Sequence, residues 1–320
     1  MERYKELFER YLKKTVPEKQ PENLYRPVEY ILENGGKRIR PLLVLLASEG
    51  YGVSAEKALP AAAALEIFHN FTLLHDDIMD RAELRRGKPS VHKKWNTDIA
   101  ILSGDAMVFL AQQQLENYPP EIFVRLQTLF NQTALAICEG QQADMDFEQR
   151  EVVSEAEYLE MIRKKTAVLL GTALRFGAVL AGKPLREQQE IEKAGIYLGL
   201  IFQMKDDWLD TFGDERFGKK TGGDILDKKK TVLYVKLLEK LSGKDKEEFI
   251  RLYHGEDLPA AEKIDRVKNW FRQYNIEREL GQDIEKMFNE ALQITDKLSL
   301  NAHAKNQLVE LFRRLNERKV

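Results

Sequence analysis

The chain has 320 residues, more than a usual single domain, although a large all-helical fold can carry one core at this length. Its 50 Lys and Arg nearly balance its 52 Asp and Glu, which excludes a strong overall field toward nucleic acid or anionic lipid. Cys138 is the single cysteine, which excludes an internal disulfide. No signal peptide or membrane span is recognisable. We expect a cytoplasmic globular protein with no nucleic-acid partner and no stable membrane insertion.

The first notable segment is Gly35–Pro41 (GGKRIRP), a flexible basic stretch directly before an apolar helix. Lys37, Arg38 and Arg40 place three cations within four residues, and the glycines let the backbone approach a ligand closely. Cations at this spacing can reach phosphate oxygens. Taken alone, such a cluster is more often a solvated basic patch.

A long helix is predicted from about Ser54 to Asp80, and it ends on an acidic triad. Asp76 and Asp80 lie one turn apart on the same face, and Asp77 lies three residues before Asp80. Three close carboxylates repel one another, and the dipole at a helix C-terminus adds to the cost. The triad therefore predicts a cationic partner.

A basic, glycine-containing loop, Arg81–Val91, follows this triad directly. Further helices are predicted over Asp105–Asn117 and from about Glu121 to Asp146. Ser154–Glu157 reads as a capping box that starts a helix running to about Leu180.

That capped helix is apolar nearly all round after Thr166, which predicts burial in the middle of a bundle. Lys165 opens the apolar stretch, a costly position for a charge without an anionic partner. The next helix, from about Pro184 to Thr211, ends on a second triad with the same spacing: Asp206, Asp207 and Asp210.

The two triads together predict Mg²⁺ binding. Hard carboxylate oxygens suit Mg²⁺, which also takes waters and substrate phosphates. One triad alone is as often a solvated acidic helix end. Two triads at one spacing, each followed by a basic glycine-containing loop (the second is Gly213–Lys230), argue against that reading. Lys240–Val320 reads as amphipathic helix, and no βαβ alternation occurs, so we predict an all-α bundle with one domain over residues 1–320.

Five ordered motifs between Gly35 and Thr231 carry a resemblance: GGKRIRP, HDDIMDRAELRRGKP, KKTAVL, FQMKDDWLD and GGDILDKKKT. In these the chain resembles the trans-isoprenyl diphosphate synthases (polyprenyl synthetases) of the short-chain type. The resemblance implies an all-α isoprenoid synthase fold around a deep central cavity, normally as a homodimer.

The resemblance also implies roles for individual residues. The implied Mg²⁺ ligands, for three ions with substrate bound, are Asp76, Asp80 and Asp206, supported by Asp77, Asp207 and Asp210. The implied allylic diphosphate ligands are Arg85, Lys165, Lys219 and Lys229. The implied isopentenyl diphosphate ligands are Lys37, Arg40, His69 and Arg86. Gln203 and Thr166 would face the developing cation. Lys228 departs from the family pattern, in which glycine is common, and this weakens the match at Lys229.

The implied reaction is ionisation of an allylic diphosphate (dimethylallyl, geranyl or farnesyl), attack by the isopentenyl double bond, and loss of a proton. Mg²⁺ and the cations stabilise the departing diphosphate, so no protein nucleophile is needed. Bulk before the first triad tends to set product length in this family. The resemblance implies that bulky Phe71 beside small Thr72 gives geranylgeranyl diphosphate, with farnesyl diphosphate the alternative. Helical geometry places Thr72 and Phe68, but not Phe71, on the same stripe as Asp76.

Three other readings remain. A class I terpene cyclase also ionises prenyl diphosphates, but it would leave the isopentenyl-site cations without a role. A non-catalytic partner subunit would be expected to lack one triad. A di-iron bundle is suggested by Glu66 and His69, but that fold needs two such Glu-x-x-His pairs and the sequence has one.

Overall fold

The computed structural model describes residues 1–15, 19–213, 221–255 and 258–317. The helices of the first half are α1 (Glu2–Thr15), α2 (Glu22–Glu33), α3 (Ile39–Gly50), α4 (Ala55–Met79), α5 (Val91–Lys94), α6 (Thr97–Leu115) and α7 (Pro120–Glu148). The helices of the second half are α8 (Glu155–Ile162), α9 (Val168–Leu180), α10 (Leu185–Phe212), α11 (Gly223–Leu226), α12 (Val232–Lys240), α13 (Gly243–His254), α14 (Ala260–Gln273), α15 (Ile276–Lys297) and α16 (Ala302–Asn316).

Strand structure in the described residues is limited to one small hairpin. Strand β1 (Leu84–Arg85) pairs antiparallel with β2 (Lys88–Pro89), inside the basic loop that follows the first triad. None of the described helices has a stretch long and apolar enough to cross a bilayer. The predicted all-α class is therefore confirmed.

The chain divides into two compact units. The first unit comprises Met1–Gln132, Thr172–Ile191 and Ser299–Gln307, and the second comprises Thr133–Gly171, Glu192–Leu298 and Leu308–Val320. The single domain over residues 1–320 stays a prediction.

The core of the first unit is built around α3 and α4. Residues Leu43–Leu45 of α3 and Ala61–Leu65 of α4 have no exposed surface. The small alanines let other helices approach α4 from all sides, which explains why its sequence is apolar without a polar stripe. A Cβ on Gly177 of α9 would lie 2.5 Å from the Ala47 Cβ, so this glycine permits close helix contact.

The core of the second unit is rich in aromatic rings. The Tyr234 and Tyr253 ring centroids are 4.4 Å apart, and Phe249 lies 5.7 Å from Tyr253. Aromatic pairs at such separations add to the stabilisation from burial. Helix α10 approaches the segment before α9 at Gly199, where a Cβ would lie 2.4 Å from the Ala167 Cα.

The structure differs from the single helix predicted from Ser154 to Leu180 in the middle of that segment. The capping box is confirmed, because Ser154 and Glu157 exchange side-chain and backbone hydrogen bonds. Residues Arg163–Ala167 then form a π-helical turn between α8 and α9. Periodicity of apolar residues does not reveal one turn of wider hydrogen bonding, and such turns are frequent at functional sites. Helix α9 is buried as expected.

Helix α6 starts earlier than predicted. It begins at Thr97 instead of Asp105 because the Asn96 side chain accepts a hydrogen bond from the Ile99 backbone nitrogen (2.8 Å) and caps the helix. The predicted bounds of α4, α7 and α10 agree with the structure within two residues. The amphipathic C-terminal third forms α13 to α16, as predicted.

Candidate active site

The first triad lies at the C-terminal end of α4, in the first unit. Asp80 ends the helix, and its backbone nitrogen donates to the Asp76 carbonyl oxygen (2.8 Å). Asp76 is half-buried and Asp80 is exposed, whereas the Asp77 side chain is only 1% exposed. The outer two carboxylates therefore lie on an accessible face, and the middle one points inward.

Asp77 is neutralised by Arg85 of the β hairpin. Arg85 Nε donates to Asp77 Oδ1 (2.9 Å), and Nη2 also contacts this oxygen. Burial lowers the pKa of Arg85, but Asp77 outweighs this and leaves the Arg85 pKa above its ordinary value. Asp77 Oδ2 is buried and finds no hydrogen-bond partner among the described residues. Arg85, predicted to bind diphosphate, therefore already bonds to the first triad.

Arg86 at the tip of the hairpin holds the glycine pair of the basic segment. Its Nη1 donates to the Gly35 carbonyl oxygen. A Cβ on Gly36, where φ is +135°, would lie 2.9 Å from the Arg86 guanidinium nitrogens. The glycine is required here both for its backbone conformation and for the close approach of the arginine.

Arg40 and His69 form a pair in the first unit. Arg40 Nη1 lies 3.0 Å from His69 Nε2. Burial, and then the charges of Arg40 and neighbouring arginines, hold the pKa of His69 well below its ordinary range, so the ring is neutral and accepts from Arg40. Burial also lowers the pKa of Arg40, to about 10, and the guanidinium stays charged at neutral pH. Lys37 is exposed.

Glu66 has a partner that removes the di-iron reading. Its Oε1 accepts from Arg38 Nη1 (2.7 Å) and from Asn70 Nδ2 (3.2 Å). His69, the second member of the Glu-x-x-His pair, bonds to Arg40 instead. Glu66 and His69 therefore each bond to an arginine, Arg38 and Arg40, and not to a shared metal ion.

The residues predicted to control product length lie one to two turns before Asp76. Phe68 is 2% exposed and contacts Phe130, with ring centroids 5.0 Å apart. Phe71 is half-buried between Phe68 (5.4 Å) and His75 (4.7 Å). Thr72 donates to the His69 carbonyl oxygen (2.8 Å). Phe71 therefore packs against neighbouring rings on one side and is accessible on the other.

The second triad lies at the C-terminal end of α10, in the second unit. Asp206 and Asp210 are half-buried, and Asp210 Oδ2 accepts from the Asp224 backbone nitrogen (2.9 Å) at the start of α11. Asp207 is 4% exposed. The middle residue again points inward.

Asp207 is held by uncharged donors. Its Oδ2 accepts from the Tyr158 hydroxyl (2.6 Å) and the Val232 backbone nitrogen (2.9 Å), and its Oδ1 accepts from Gln203 Nε2 (3.0 Å). Burial raises the pKa of Asp207 to about 7, although these hydrogen bonds favour the charged form. Both oxygens of this carboxylate are thus engaged inside the protein.

The π-helical turn supplies the next two predicted residues. Lys165 Nζ bonds to Asp144 Oδ2 (2.5 Å), and the Thr166 hydroxyl donates to Gln203 Oε1 (3.3 Å). A Cβ on Gly140 of α7 would lie 2.3 Å from the Lys165 nitrogen, so this glycine lets α7 approach the turn. Tyr158, Gln203 and Thr166 therefore form one hydrogen-bonded chain through Asp207.

Asp224 is an acidic residue that sequence reasoning missed. Burial raises its pKa, and Asp210 and Asp206 raise it further, although Lys229 Nζ lies 3.5 Å away. Asp224 stands inside the GGDILDKKKT motif, and this was the signal that could have identified it. Lys229 is exposed. Lys219, also predicted to bind diphosphate, lies outside the described residues.

The carboxylate chemistry fits Mg²⁺ with substrate, but not a cage built from protein alone. Over residues 1–15, 19–213, 221–255 and 258–317, no three His, Cys, Asp or Glu side chains converge as a metal site. The reason is that Asp77 and Asp207 point inward, which leaves two outer carboxylates per triad. Mg²⁺ usually takes one or two carboxylates and fills its remaining positions with water and phosphate oxygens. Two outer carboxylates per triad suit that requirement.

Comparisons with known proteins identify the family of this chain. The polyprenyl synthetase family model matches residues 21–271. The chain is 39% identical over 312 residues to a geranylgeranyl pyrophosphate synthase of Geoglobus acetivorans, covering 96% of this chain and 94% of that protein. It is 43% identical over 229 residues to a geranylgeranyl diphosphate synthase of Methanosarcina mazei, covering 70% of each.

Solved structures give the same result. A crystal structure of a geranylgeranyl pyrophosphate synthase superposes with a TM-score of 0.93 at 46% identity, covering 100% of this chain and 99% of that one. Enzymes of this family depend in general on Mg²⁺. The chain belongs to the polyprenyl synthetase family and is a trans-prenyltransferase.

Proposed function

We propose that this enzyme condenses isopentenyl diphosphate with an allylic diphosphate, head to tail and in trans, to give geranylgeranyl diphosphate. The observation that carries the proposal is the matched arrangement of the triads, each with its middle aspartate held internally and its outer two on an accessible face. The relatives named as geranylgeranyl diphosphate synthases support the choice of product.

The proposed Mg²⁺ ligands are the outer aspartates Asp76, Asp80, Asp206 and Asp210, for three ions with substrate bound. Ions held by these carboxylates would supply positive charge to the departing diphosphate. Asp77 is buried and bonded to Arg85, so its proposed supporting role is to hold Arg85 beside the outer aspartates. Both oxygens of Asp207 accept hydrogen bonds from donors inside the protein, so its proposed role is to position Gln203.

The diphosphate ligands proposed in the first unit are Arg85 for the allylic diphosphate and Lys37, Arg40, His69 and Arg86 for isopentenyl diphosphate. Those proposed in the second unit are Lys165 and Lys229, for the allylic diphosphate; Lys219, which belongs to the same proposal, lies outside the described residues. Arg40 remains charged and His69 remains neutral, so His69 contributes a polar contact and orients Arg40. Lys165 would exchange its ion pair with Asp144 for the substrate.

The bond changes need no protein nucleophile. The allylic C–O bond breaks and its electron pair leaves with the diphosphate. The π pair of isopentenyl diphosphate forms the new C–C bond, and a proton leaves the resulting cation, with the bound diphosphate as the proposed acceptor. The Gln203 carbonyl and the Thr166 hydroxyl offer oxygen dipoles to the cation, and the hydrogen bond from Gln203 Nε2 to Asp207 holds that amide in place.

The experiment that tests this function is product chromatography after incubation with isopentenyl and dimethylallyl diphosphates and Mg²⁺. We expect geranylgeranyl diphosphate, and no product after chelation of the metal. Omitting isopentenyl diphosphate is the control, because a terpene cyclase would still consume a longer prenyl diphosphate without it. Farnesyl diphosphate as the end product would overturn the length assignment but not the reaction.

Phe71 is the residue proposed to limit product length. Because this ring keeps exposed surface, Phe71→Ala should open space beside the growing chain and give products longer than geranylgeranyl diphosphate. Phe123→Ala is the matched control, since it removes another half-buried ring in the same unit. An unchanged product profile for Phe71→Ala would return Phe71 to a purely structural role.

A homodimer is the proposed assembly, and the cytoplasm the proposed location. The accessible sides of α6 and α7 carry large apolar residues: Leu102 is 61% exposed, Phe109 64% and Val124 59%. The two helices are bridged by Gln112 and Asn131 (3.5 Å), so these residues belong to one surface. An apolar surface of this kind is typical of a subunit contact. Sedimentation should give a dimer, and Phe109→Glu should shift it to monomer; a monomeric wild-type protein would contradict the proposal.

A further inference from the structure

Arg38 occupies an unusual position in the basic segment Gly35–Pro41. It precedes α3 in a left-handed backbone conformation (φ +50°) and is only 3% exposed. Its guanidinium is bonded through all three nitrogens: Nε to Glu9 Oε1 (2.8 Å), Nη1 to Glu66 Oε1 (2.7 Å) and Nη2 to the Leu32 carbonyl oxygen (2.6 Å).

These bonds make the position of Arg38 dependent on its partners. A buried charge is costly unless it is paired and hydrogen-bonded, and a left-handed conformation is unfavourable for a residue with a Cβ. Glu9 and Glu66 provide the compensating charges. Loss of one partner therefore leaves Arg38 under-compensated and favours its withdrawal.

Arg38 lies between two proposed ligands of isopentenyl diphosphate. Lys37 precedes it directly, and Arg40 follows two residues later and bonds to His69. Movement of Arg38 would carry both neighbours with it, because they share the same short stretch of backbone. The geometry of this cation pair is thus set by a residue that does not face the substrate.

Glu9 comes from α1, before residue 21 at which the family match begins. Helix α1 is anchored by Tyr4, Phe8 and Leu12, whose side chains are at most 5% exposed. Glu9 follows the fully buried Phe8, so it reaches Arg38 from a rigid support. Its own side chain is 33% exposed, so it can be changed without opening the core.

We propose that Glu9 is a positioning residue for the isopentenyl diphosphate subsite, acting through Arg38 on Lys37 and Arg40. This rests on the proposed function, in which those two cations bind the isopentenyl substrate. The N-terminal helix is then part of the machinery for one of the two substrates, and not of the other.

The test compares Glu9→Gln with Glu6→Gln. Both change one carboxylate of α1 to an amide, but Glu6 is exposed and does not contact Arg38. For Glu9→Gln we expect the KM for isopentenyl diphosphate to rise roughly threefold to tenfold, about the net worth of one uncharged hydrogen bond, because the amide oxygen can still accept from Arg38 and only the charge is lost. The KM for the allylic diphosphate should stay within about twofold of wild type, which is below the scale of one such bond. Glu6→Gln should match wild type in both.

Further variants separate positioning from stability. Glu9→Asp keeps the charge and should recover part of the KM. Phe312→Ala, which removes a buried ring from the second unit, should lower the melting temperature at least as much as Glu9→Gln without a selective change for isopentenyl diphosphate. Equal shifts in both KM values for Glu9→Gln, or none, would overturn the inference. Calorimetric titration of wild type with isopentenyl diphosphate checks the underlying function. If wild type does not bind isopentenyl diphosphate, the proposed subsite is wrong. If wild type binds it and Glu9→Gln binds it equally well, only the role of Glu9 is wrong.

Discussion

The two aspartate triads have the same spacing but different interiors. In the first, Asp77 is held by a cation, Arg85, and keeps one buried oxygen without a partner among the described residues. In the second, Asp207 is held by a hydroxyl, an amide and a backbone nitrogen, and its pKa is raised to about 7 by burial. The same local motif is thus stabilised by an ion pair in one unit and by neutral donors in the other.

Within each triad, the outer aspartates and the middle aspartate have different roles. The outer aspartates at i and i+4 share a face because of helical geometry, and they are accessible in both units. The middle aspartate serves the protein interior, where its partner depends on the surrounding fold. Arg85 relieves the repulsion within the first triad, whereas the second triad has a further carboxylate nearby, Asp224, which Lys229 partly compensates.

The largest effect is expected from the outer residues. Asp76→Ala and Asp206→Ala should each lower turnover by roughly 10³-fold or more, because each removes a proposed ligand that stabilises the leaving group. Circular dichroism should remain that of the helical wild type, since neither side chain is in the core. Normal turnover in either variant would refute the metal assignment.

The middle residues should differ in stability and in its salt dependence. Asp77→Ala breaks an ion pair whose arginine is 30% exposed, so its cost, about 1.5–3 kcal/mol, should shrink in high salt. Asp207→Ala leaves two buried donors, from Tyr158 and Val232, and the half-buried Gln203 amide without an acceptor. It should cost at least as much, about 3 kcal/mol, with little salt dependence. Urea unfolding at low and high salt measures both. The same salt dependence in both variants would remove the distinction between the two interiors.

Tyr158→Phe should cost about 1 kcal/mol, because it removes one of the donors to Asp207 while leaving the ring in place. This stability cost should disappear when Tyr158→Phe is made in an Asp207→Ala background, because the hydroxyl then has no carboxylate to donate to. Tyr274→Phe, which loses an exposed bond to Asp245, is the control and should add independently of Asp207. If the stability costs of Tyr158→Phe and Asp207→Ala simply added, the hydrogen bond between the two residues would not be contributing as proposed.

The smallest effect is expected at the start of α8, the helix that carries Tyr158. Ser154→Ala removes the capping box and should cost about 0.5–1 kcal/mol in thermal or urea unfolding.

The same capping box predicts a pH dependence at Glu157. The hydrogen bonds from Ser154 and Arg150 lower the pKa of Glu157 to about 2. Because this pKa lies below the ordinary 4.5, the contribution of Glu157 is present above that pH and is lost as the pH falls toward 2. The stability difference between wild type and Glu157→Gln should therefore narrow in acid, and a constant difference would contradict the assignment.

Sequence reasoning predicted the helices and the triads well because both are local patterns. The bounds of α4, α7 and α10 follow from apolar periodicity and from capping or breaking residues. The accessible faces of Asp76 and Asp206 follow from their position one turn from Asp80 and Asp210. The π-helical turn at Arg163–Ala167 was not predicted, since a single wide turn leaves no periodic signal.

By itself, the sequence determined the fold class, the family and the two acidic helix ends, since each depends on residues within a few turns of one another. Only the tertiary structure decided which aspartate of each triad points inward and what holds it. Two of the three partners of Asp207, Val232 and Tyr158, lie 25 and 49 positions away in the chain, and Arg38 meets Glu9 across 29 positions. Contacts over such separations arise from helix packing, so neither spacing nor composition could reveal them.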